Sequence, residues 1–322
     1  MTSDKKLTVV SLFSGCGGMD LGFRGGFISL SKKYDSTGYD IIWANDIDKP
    51  SCKTYKNNFP RTEVIPGDIG EVLHSLFDIP QADIVLGGFP CQDFSLAGKR
   101  RGLTVKRGRL YSSMVEVVKR LKPKAFVAEN VKGLLNWMGG LAIETIKKDF
   151  EDQGYDTTIN LVNAADYGVP QKRERVFIVG IRKDLGRSFK LPATTHAEKP
   201  MNAHLPWVTL EQAIGDLEND KLHFSLPNSG YSKARLFPGT QGNVKTKAER
   251  PGPTMRAEHH GNIEWHYSKD RRLSAREAAR IQSFPDDFIF FNSTSDAYRQ
   301  IGNAVPPVLA WNIARRLREV LE

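Results

Sequence analysis

The chain has 322 residues, with 46 Lys+Arg against 37 Asp+Glu and a formal net charge of +9 at pH 7. Hydrophobic residues at 40% and charged residues at 26% exclude a disordered or collagen-like chain, and the length predicts two domains, or one large domain with an insertion. Three cysteines, Cys16, Cys52 and Cys91, are too few for a disulfide framework and predict a reducing, cytoplasmic setting, while the polar start and the short apolar runs predict neither a secretory leader nor a membrane span.

Leu7 to Phe13 reads as a buried strand that runs into Ser14-Gly15-Cys16-Gly17-Gly18 and a helix-like segment, Met19 to Phe23. Ile41 to Ala44 predicts a second strand leading into Asn45-Asp46-Ile47-Asp48, and a third ends near Gly67-Asp68-Ile69. A fourth, Ala82 to Leu86, breaks at Gly87-Gly88-Phe89-Pro90-Cys91. Met114 to Leu121 has helical periodicity, Lys124 to Ala128 reads as a strand, and Leu141 to Phe150 as a helix. This alternation predicts βαβ units and a largely parallel sheet. From Thr157 to Ile181 two extended runs flank Gly168-Val169-Pro170. The stretch from about 186 to 270 is rich in Pro, Gly, Asn and His, with one helix, Leu210 to Leu217, opened by a capping box of Thr209 and Gln212. A second capping box, Ser274 and Glu277, opens a helix from Ala275 to Gln282. The chain closes with Pro306-Pro307 and an amphipathic helix whose Leu309, Ile313, Leu317 and Leu321 share a face. The layout is an α/β domain over 1–185, an irregular module over 186–292, and a segment over 293–322 that completes the first domain.

The glycines after the first strand let the backbone approach a ligand closely. Asp46 and Asp68, at the ends of the next two strands, are placed to accept hydrogen bonds from a ribose and an adenine amino group. The same loop equally serves tight packing, and it lacks the G-x-G-x-x-G register that a pyrophosphate needs. A cofactor without phosphates, such as S-adenosylmethionine, suits it better than NAD. Cys91 differs from the other two cysteines in standing among loop formers just past an apolar strand. A free thiol is only about 3% thiolate at neutral pH, and nearby cations raise that fraction. Six basic residues and no acidic one lie between Lys99 and Arg109, and seven, against Glu249 alone, lie between Lys221 and Arg256. Two such runs in weakly periodic segments predict phosphate contacts and a nucleic-acid partner.

Taken in order, these segments resemble the DNA (cytosine-5)-methyltransferases of bacterial restriction-modification systems over nearly the whole chain. Phe13-Ser-Gly15-Cys-Gly17-Gly18 resembles the family's cofactor loop, and Gly88-Phe89-Pro90-Cys91-Gln92 its nucleophile motif. Glu129-Asn130-Val131 resembles its ENV motif, and Gln171-Lys172-Arg173-Glu174-Arg175 its QxRxR strand. Arg272 to Pro285 is similar to the helix of its smaller domain, and Tyr298 to Pro307 to its closing motif.

The resemblance implies a Rossmann-like α/β methyltransferase sheet, with a target-recognition domain inserted before the C-terminal helix. Cys91 is then the nucleophile at C6 of a cytosine flipped out of duplex DNA, and Glu129 holds or protonates N3. Arg173 and Arg175 bind the base carbonyl and a phosphate, Arg175 also positioning Glu129. S-adenosylmethionine is implied as cofactor. Phe13, Gly15, Cys16, Gly17, Gly18, Asp46, Ile47, Asp68, Ile69, Pro90, Leu110, Asn303 and Val305 would surround it. Gln92, Ser95, Lys99, Arg101 and Arg109 fall on what resembles a mobile catalytic loop. In the recognition module Lys233, Arg235, Gln241, Asn243 and Arg256 are candidates for phosphates and base edges. No histidine stands at zinc spacing, so no metal is expected. The partners expected are duplex DNA and, functionally, a restriction endonuclease, with the chain acting as a monomer. An RNA cytosine-5 methyltransferase and a non-catalytic DNA-binding regulator on the same scaffold are the alternatives.

Overall fold

The structure is a computed structural model and describes residues 6–74, 79–90, 109–235, 243–257 and 263–322. Seven strands make one sheet: β1 (Leu7–Leu12), β2 (Tyr39–Asp46), β3 (Glu63–Pro66), β4 (Ile84–Gly87), β5 (Ala125–Val131), β6 (Tyr155–Asn163) and β7 (Glu174–Arg182). Their order is β3-β2-β1-β4-β5-β7-β6. Neighbours are parallel except β7, which runs antiparallel to both β5 and β6. The central strands are apolar on both faces, as a sheet covered on two sides requires. Val9, Ile84, Leu86, Ala125 and Val127 face one core, whereas Val10, Val85, Phe126 and Ala128 face the other.

Strand order reverses between β1 and β4, so a crevice opens beyond their C-terminal ends. The glycine loop leaves β1 there, and the Gly87-Gly88-Phe89-Pro90 turn leaves β4. On one side of the sheet lie α1 (Gly18–Arg24) and the final helix α10 (Pro307–Leu321); on the other lie α4 (Arg109–Leu121) and α5 (Leu141–Glu151). Helices α1 and α10 cross so closely that a Cβ on Gly22 would come within 2.4 Å of Ala310 Cβ. That contact is why the chain returns to a helix at its end.

Between 186 and 292 the backbone has little ladder to satisfy it, and buried guanidinium groups do that work instead. Arg276 is fully buried and donates to the carbonyls of Pro227, Pro285 and Phe288 at 2.7–2.9 Å. Arg272 donates to Ala234 and Arg235 carbonyls at 2.9 and 2.8 Å and to Asn243 Oδ1 at 2.7 Å. Among the described residues no helix is long and apolar enough to cross a membrane.

Several elements differ from the sequence expectation. Helix α4 starts at Arg109, five residues before the periodicity becomes visible. The helix expected over 210–217 is an α-helix over Leu210–Ile214 followed by a 3-10 turn, Gly215–Glu218. A helix over Asp220–Ser225 was not expected; Asn219 caps it. Nor was Thr294–Asn303, although Ser293 and Asp296 form a capping box there. Ahead of β2 the chain forms a short hairpin that was not expected, Phe27–Ser29 with Lys32–Tyr34. Phe27 stacks on Tyr34 at 5.0 Å, and Tyr34 meets Trp311 of α10 edge-on at 5.2 Å.

Beneath the glycine loop, Ser11, Asp20 and Tyr55 are buried together, and the Ser11 and Tyr55 hydroxyls lie against the Asp20 carboxyl and only partly offset its burial. Burial pushes the Asp20 carboxyl up to about 7 from an ordinary 3.8. Between these values the unfolded chain sheds the proton that the folded chain keeps, so stability falls as pH rises. Asp20→Asn removes this dependence. Its thermal midpoint is expected to exceed wild type by an amount that grows from pH 4 to about 7 and then levels, worth at most about 4 kcal/mol; melting curves across pH measure it.

Candidate active site

The half of the site beyond β1 to β3 is built on backbone bends. Phe13 and Gly15 both adopt φ 54°, and Gly17 adopts φ 91°. The Asp46 carboxylate fixes the bend: one oxygen accepts from Gly15 N–H at 2.7 Å and the other from Asp48 N–H at 2.8 Å. Burial pushes the Asp46 carboxyl up, and those backbone donors oppose the push. The glycines serve different ends. A Cβ on Gly15 would meet nothing within 4 Å, so this position opens into the crevice, whereas one on Gly17 would strike Phe59 at 2.5 Å and one on Gly18 the Val305 carbonyl at 2.6 Å. Gly17 and Gly18 are therefore required by close packing, and Gly18 also borders the cavity. The Cys16 side chain is likewise turned inward, its thiol toward the Gln300 carbonyl at 3.7 Å.

Asn45, which sequence reasoning missed, ties two strand ends together. Its amide donates to the Ile65 carbonyl at 2.8 Å and the Gly67 carbonyl at 3.0 Å. The spacing between Asp46 and Asp68 follows from that tie. Ile47 stands 68% exposed at the crevice, an unusual position for so apolar a side chain, while Ile69 is buried beside it.

The other half is built on β5 and β7. Glu129 is 8% exposed, and Arg175 Nε reaches its Oε1 at 3.0 Å. Burial raises the Glu129 carboxyl, and the charges of Arg175 and then Arg173 pull it down again. Asn130 donates to the Phe89 carbonyl at 2.8 Å and so fixes the turn that leads to Cys91. Cys91 itself, with Gln92, Ser95, Lys99, Arg101 and Gln241, lies outside the described residues, and only the backbone of Arg109 is described.

Residues 173 and 175 share a face, while Lys172 and Glu174 point outward. The Arg173 guanidinium is fully buried and donates to three carbonyls: Met255 at 2.9 Å, Gly302 at 2.7 Å and Ala304 at 3.0 Å. Its Nε has no partner among the described residues, and the residue lines the cavity, so it ties the chain together at the cavity wall. Beside it Gln171 bonds to Gln282 and accepts from Met255 N–H at 3.0 Å. Asn243, expected at a base edge, is buried with its oxygen held by Arg272. Lys233 and Arg235 are exposed and stand away from the crevice.

Together these segments enclose a cavity of about 660 Å³. It is lined by Phe13, Gly15, Asp46, Ile47, Asp68 and Ile69 at one end and by Glu129, Arg173 and Arg175 at the other. Pro90, Leu110, Arg256, Asn303 and Val305 also border it. Among the described residues no group of three or more His, Cys, Asp or Glu side chains is placed to hold a metal ion.

A family model described as C-5 cytosine-specific DNA methylase matches residues 7–252 and 235–319. The type II methyltransferase M.NgoFVII of Neisseria gonorrhoeae is 40% identical over 95% of this chain and 85% of its own length. M.NgoPII of the same organism is 35% identical over 100% of this chain and 98% of its own. Among solved structures, a chain described as a DNA modification methyltransferase from an Escherichia coli prophage is 25% identical. It superposes at a TM-score of 0.68, over 98% of this chain and 99% of that one. The Dnmt2 methyltransferase of S. pombe, 18% identical over 98% of each chain, shares the fold at a TM-score of 0.69.

Replacing Arg173 by Met strands the Met255 and Gly302 carbonyls in the interior, while that of Ala304 keeps its hydrogen bond from Gln282. A loss of roughly 3–5 kcal/mol in urea unfolding is expected. Lys, whose single ammonium cannot reach all three acceptors, should recover only part of it.

Proposed function

Since the chain belongs to the C-5 cytosine-specific DNA methylases, we propose that its cavity receives S-adenosylmethionine and a cytosine flipped out of duplex DNA, with Cys91 and Glu129 carrying the chemistry. The enzyme is a DNA (cytosine-5)-methyltransferase of the type II restriction-modification class. The observation that carries the site assignment is Glu129. It is a buried carboxyl held by Arg175 in the same cavity as the glycine loop and reached by the turn that precedes Cys91.

The cofactor end suits S-adenosylmethionine on electrostatic grounds. Asp46, Asp48 and Asp68 border it and would repel a pyrophosphate, while a cationic sulfonium is attracted. The open face of Gly15 gives the nucleoside room, and Phe13 and the exposed Ile47 offer it apolar surfaces. Asp46 and Asp68 are the acceptors for ribose hydroxyls and an adenine amino group, with Asn303 and Val305 near the methionine end. When bound, S-adenosylmethionine supplies an electrophilic methyl to C5.

C5 of cytosine is a poor nucleophile until electrons are pushed into the ring. The Cys91 thiolate forms a bond to C6, and the displaced electron pair delocalises over C5 and N3. Glu129 gives or holds a proton at N3, which neutralises the developing charge. Its raised pKa suits it to bear that proton, and Arg175 keeps it aimed. After methylation the C5 proton leaves to a base, the C6–S bond breaks, and Cys91 departs as thiolate with the ring restored. In this reading residues 1–185 and 293–322 form the catalytic domain and 186–292 the recognition domain. The chain acts as a cytoplasmic monomer and protects DNA against a companion endonuclease.

Labelled methyl transfer to duplex DNA and to tRNA separates this reading from an RNA methyltransferase: transfer to duplex DNA is expected, and transfer to tRNA alone contradicts it. Glu129→Gln keeps a hydrogen bond to N3 but has no proton to give and loses its ion pair. Its kcat on duplex DNA should fall roughly 100-fold while DNA affinity changes little.

A further inference from the structure

Four residues, Thr254 to Ala257, have no regular secondary structure of any length, yet each is fixed. Thr254 Oγ donates to the Lys172 carbonyl at 2.7 Å. Met255 is held from both sides, its N–H by Gln171 and its carbonyl by Arg173. Arg256 and Ala257 lie flat on Gly302, where a Cβ would come within 2.6 Å of the Arg256 carbonyl carbon and 2.5 Å of Ala257 N. A rigid mount of this kind ordinarily serves a side chain that must be in one place.

The side chain it carries is Arg256, which borders the catalytic cavity and is exposed. The other cations that border the cavity have partners. Lys132 pairs with Glu174 at 2.9 Å, Arg175 with Glu129 at 3.0 Å, and Arg173 is bound to three carbonyls. Among the described residues Arg256 has neither hydrogen bond nor ion pair. Behind it Glu264 is 6% exposed with one carboxylate oxygen unpartnered among the described residues; burial pushes its carboxyl up, and its own backbone N–H and then the charges of Arg256 and Arg272 oppose the push.

Resting on the function proposed above, we infer that Arg256 binds the backbone phosphate beside the flipped cytosine. Rotating a nucleotide out of the duplex carries its own phosphodiester toward the mouth of the cavity its base enters. A guanidinium waiting there gains charge-assisted hydrogen bonds in the flipped state and none in the stacked one. It therefore favours the flipped state by its differential affinity for the two. Arg256 is in this sense a positioning residue: it touches the substrate but takes no part in bond making.

The test uses a duplex carrying the target site, mapped first by bisulfite sequencing of a plasmid from cells expressing the protein. The target cytosine is replaced by 2-aminopurine, whose fluorescence rises on flipping, and a methylphosphonate replaces either phosphate flanking it. One of the two replacements should weaken flipping by wild type about tenfold. R256A should show a similar loss on the unmodified duplex and less than about twofold further loss with the methylphosphonate. R256Q, of nearly equal length, should behave like R256A, and R256K should recover part of the loss. The inference is overturned if the methylphosphonate penalises R256A and R256Q as much as wild type. It is equally overturned if both variants flip like wild type, or if they methylate relaxed sequences with an unchanged phosphonate response, which would make Arg256 a base reader. A wild type that neither flips nor methylates any duplex would instead refute the function on which the inference rests.

Discussion

The guanidinium of Arg173 joins three segments that are far apart in sequence. It sits just ahead of β7, two residues before the arginine that holds Glu129, and grips the carbonyl of Met255 in the irregular 186–292 segment and those of Gly302 and Ala304 ahead of the final helix. None of those carbonyls belongs to a sheet or helix ladder that would otherwise satisfy it, so the bonds fix the second wall of the cavity to β7, the strand whose Arg175 holds Glu129. Gln171, Gln282 and Gly302 extend the same joint by amide bonds and close packing. The position of the cavity's far wall is thus a consequence of one buried, unpaired cation that is solvated by main-chain oxygen rather than by water.

The cavity that results has two electrical ends. Aspartates stand at the ends of β2 and β3, while arginines and one protonatable carboxyl stand at the ends of β5 and β7. In the proposed reaction a sulfonium nucleoside would meet the acidic end and a base carrying developing negative charge the other. Because both ends sit beyond the same edge of one mostly parallel sheet, the transfer needs no movement of the sheet. What must move is DNA, and Arg256 stands where a displaced phosphate would arrive.

Much of this was legible in the residues. The alternation of strands and helices, the acidic strand ends, Glu129 and the return of the final helix all follow from pattern and motif order. What was not legible is instructive. Arg173 and Arg175 alternate identically along the chain, and only the fold shows that one faces a carboxylate and the other three carbonyls. The need for Gly17 and Gly18 comes from Tyr55, Phe59 and Val305, which no local window contains. Asn45 acts across strands, so its partners are invisible until register is known. The hairpin at 27–34 has too little alternation to read as strand and is specified by Trp311 of α10 instead. The helix at 294–303 carried a readable capping box at Ser293 and Asp296 that the motif resemblance overshadowed.

The central claim is a covalent bond from Cys91 to the target base, assisted by Glu129. A duplex with 5-fluorocytosine at the target position tests it most directly, because fluorine at C5 cannot leave as a proton and the adduct is trapped. With S-adenosylmethionine present, wild type should form a denaturant-resistant complex whose crosslinked peptide contains Cys91, and Cys91→Ser should form none. Methylation of ordinary duplex DNA by the Cys91→Ser protein, or an adduct mapped to any other residue, would contradict the account.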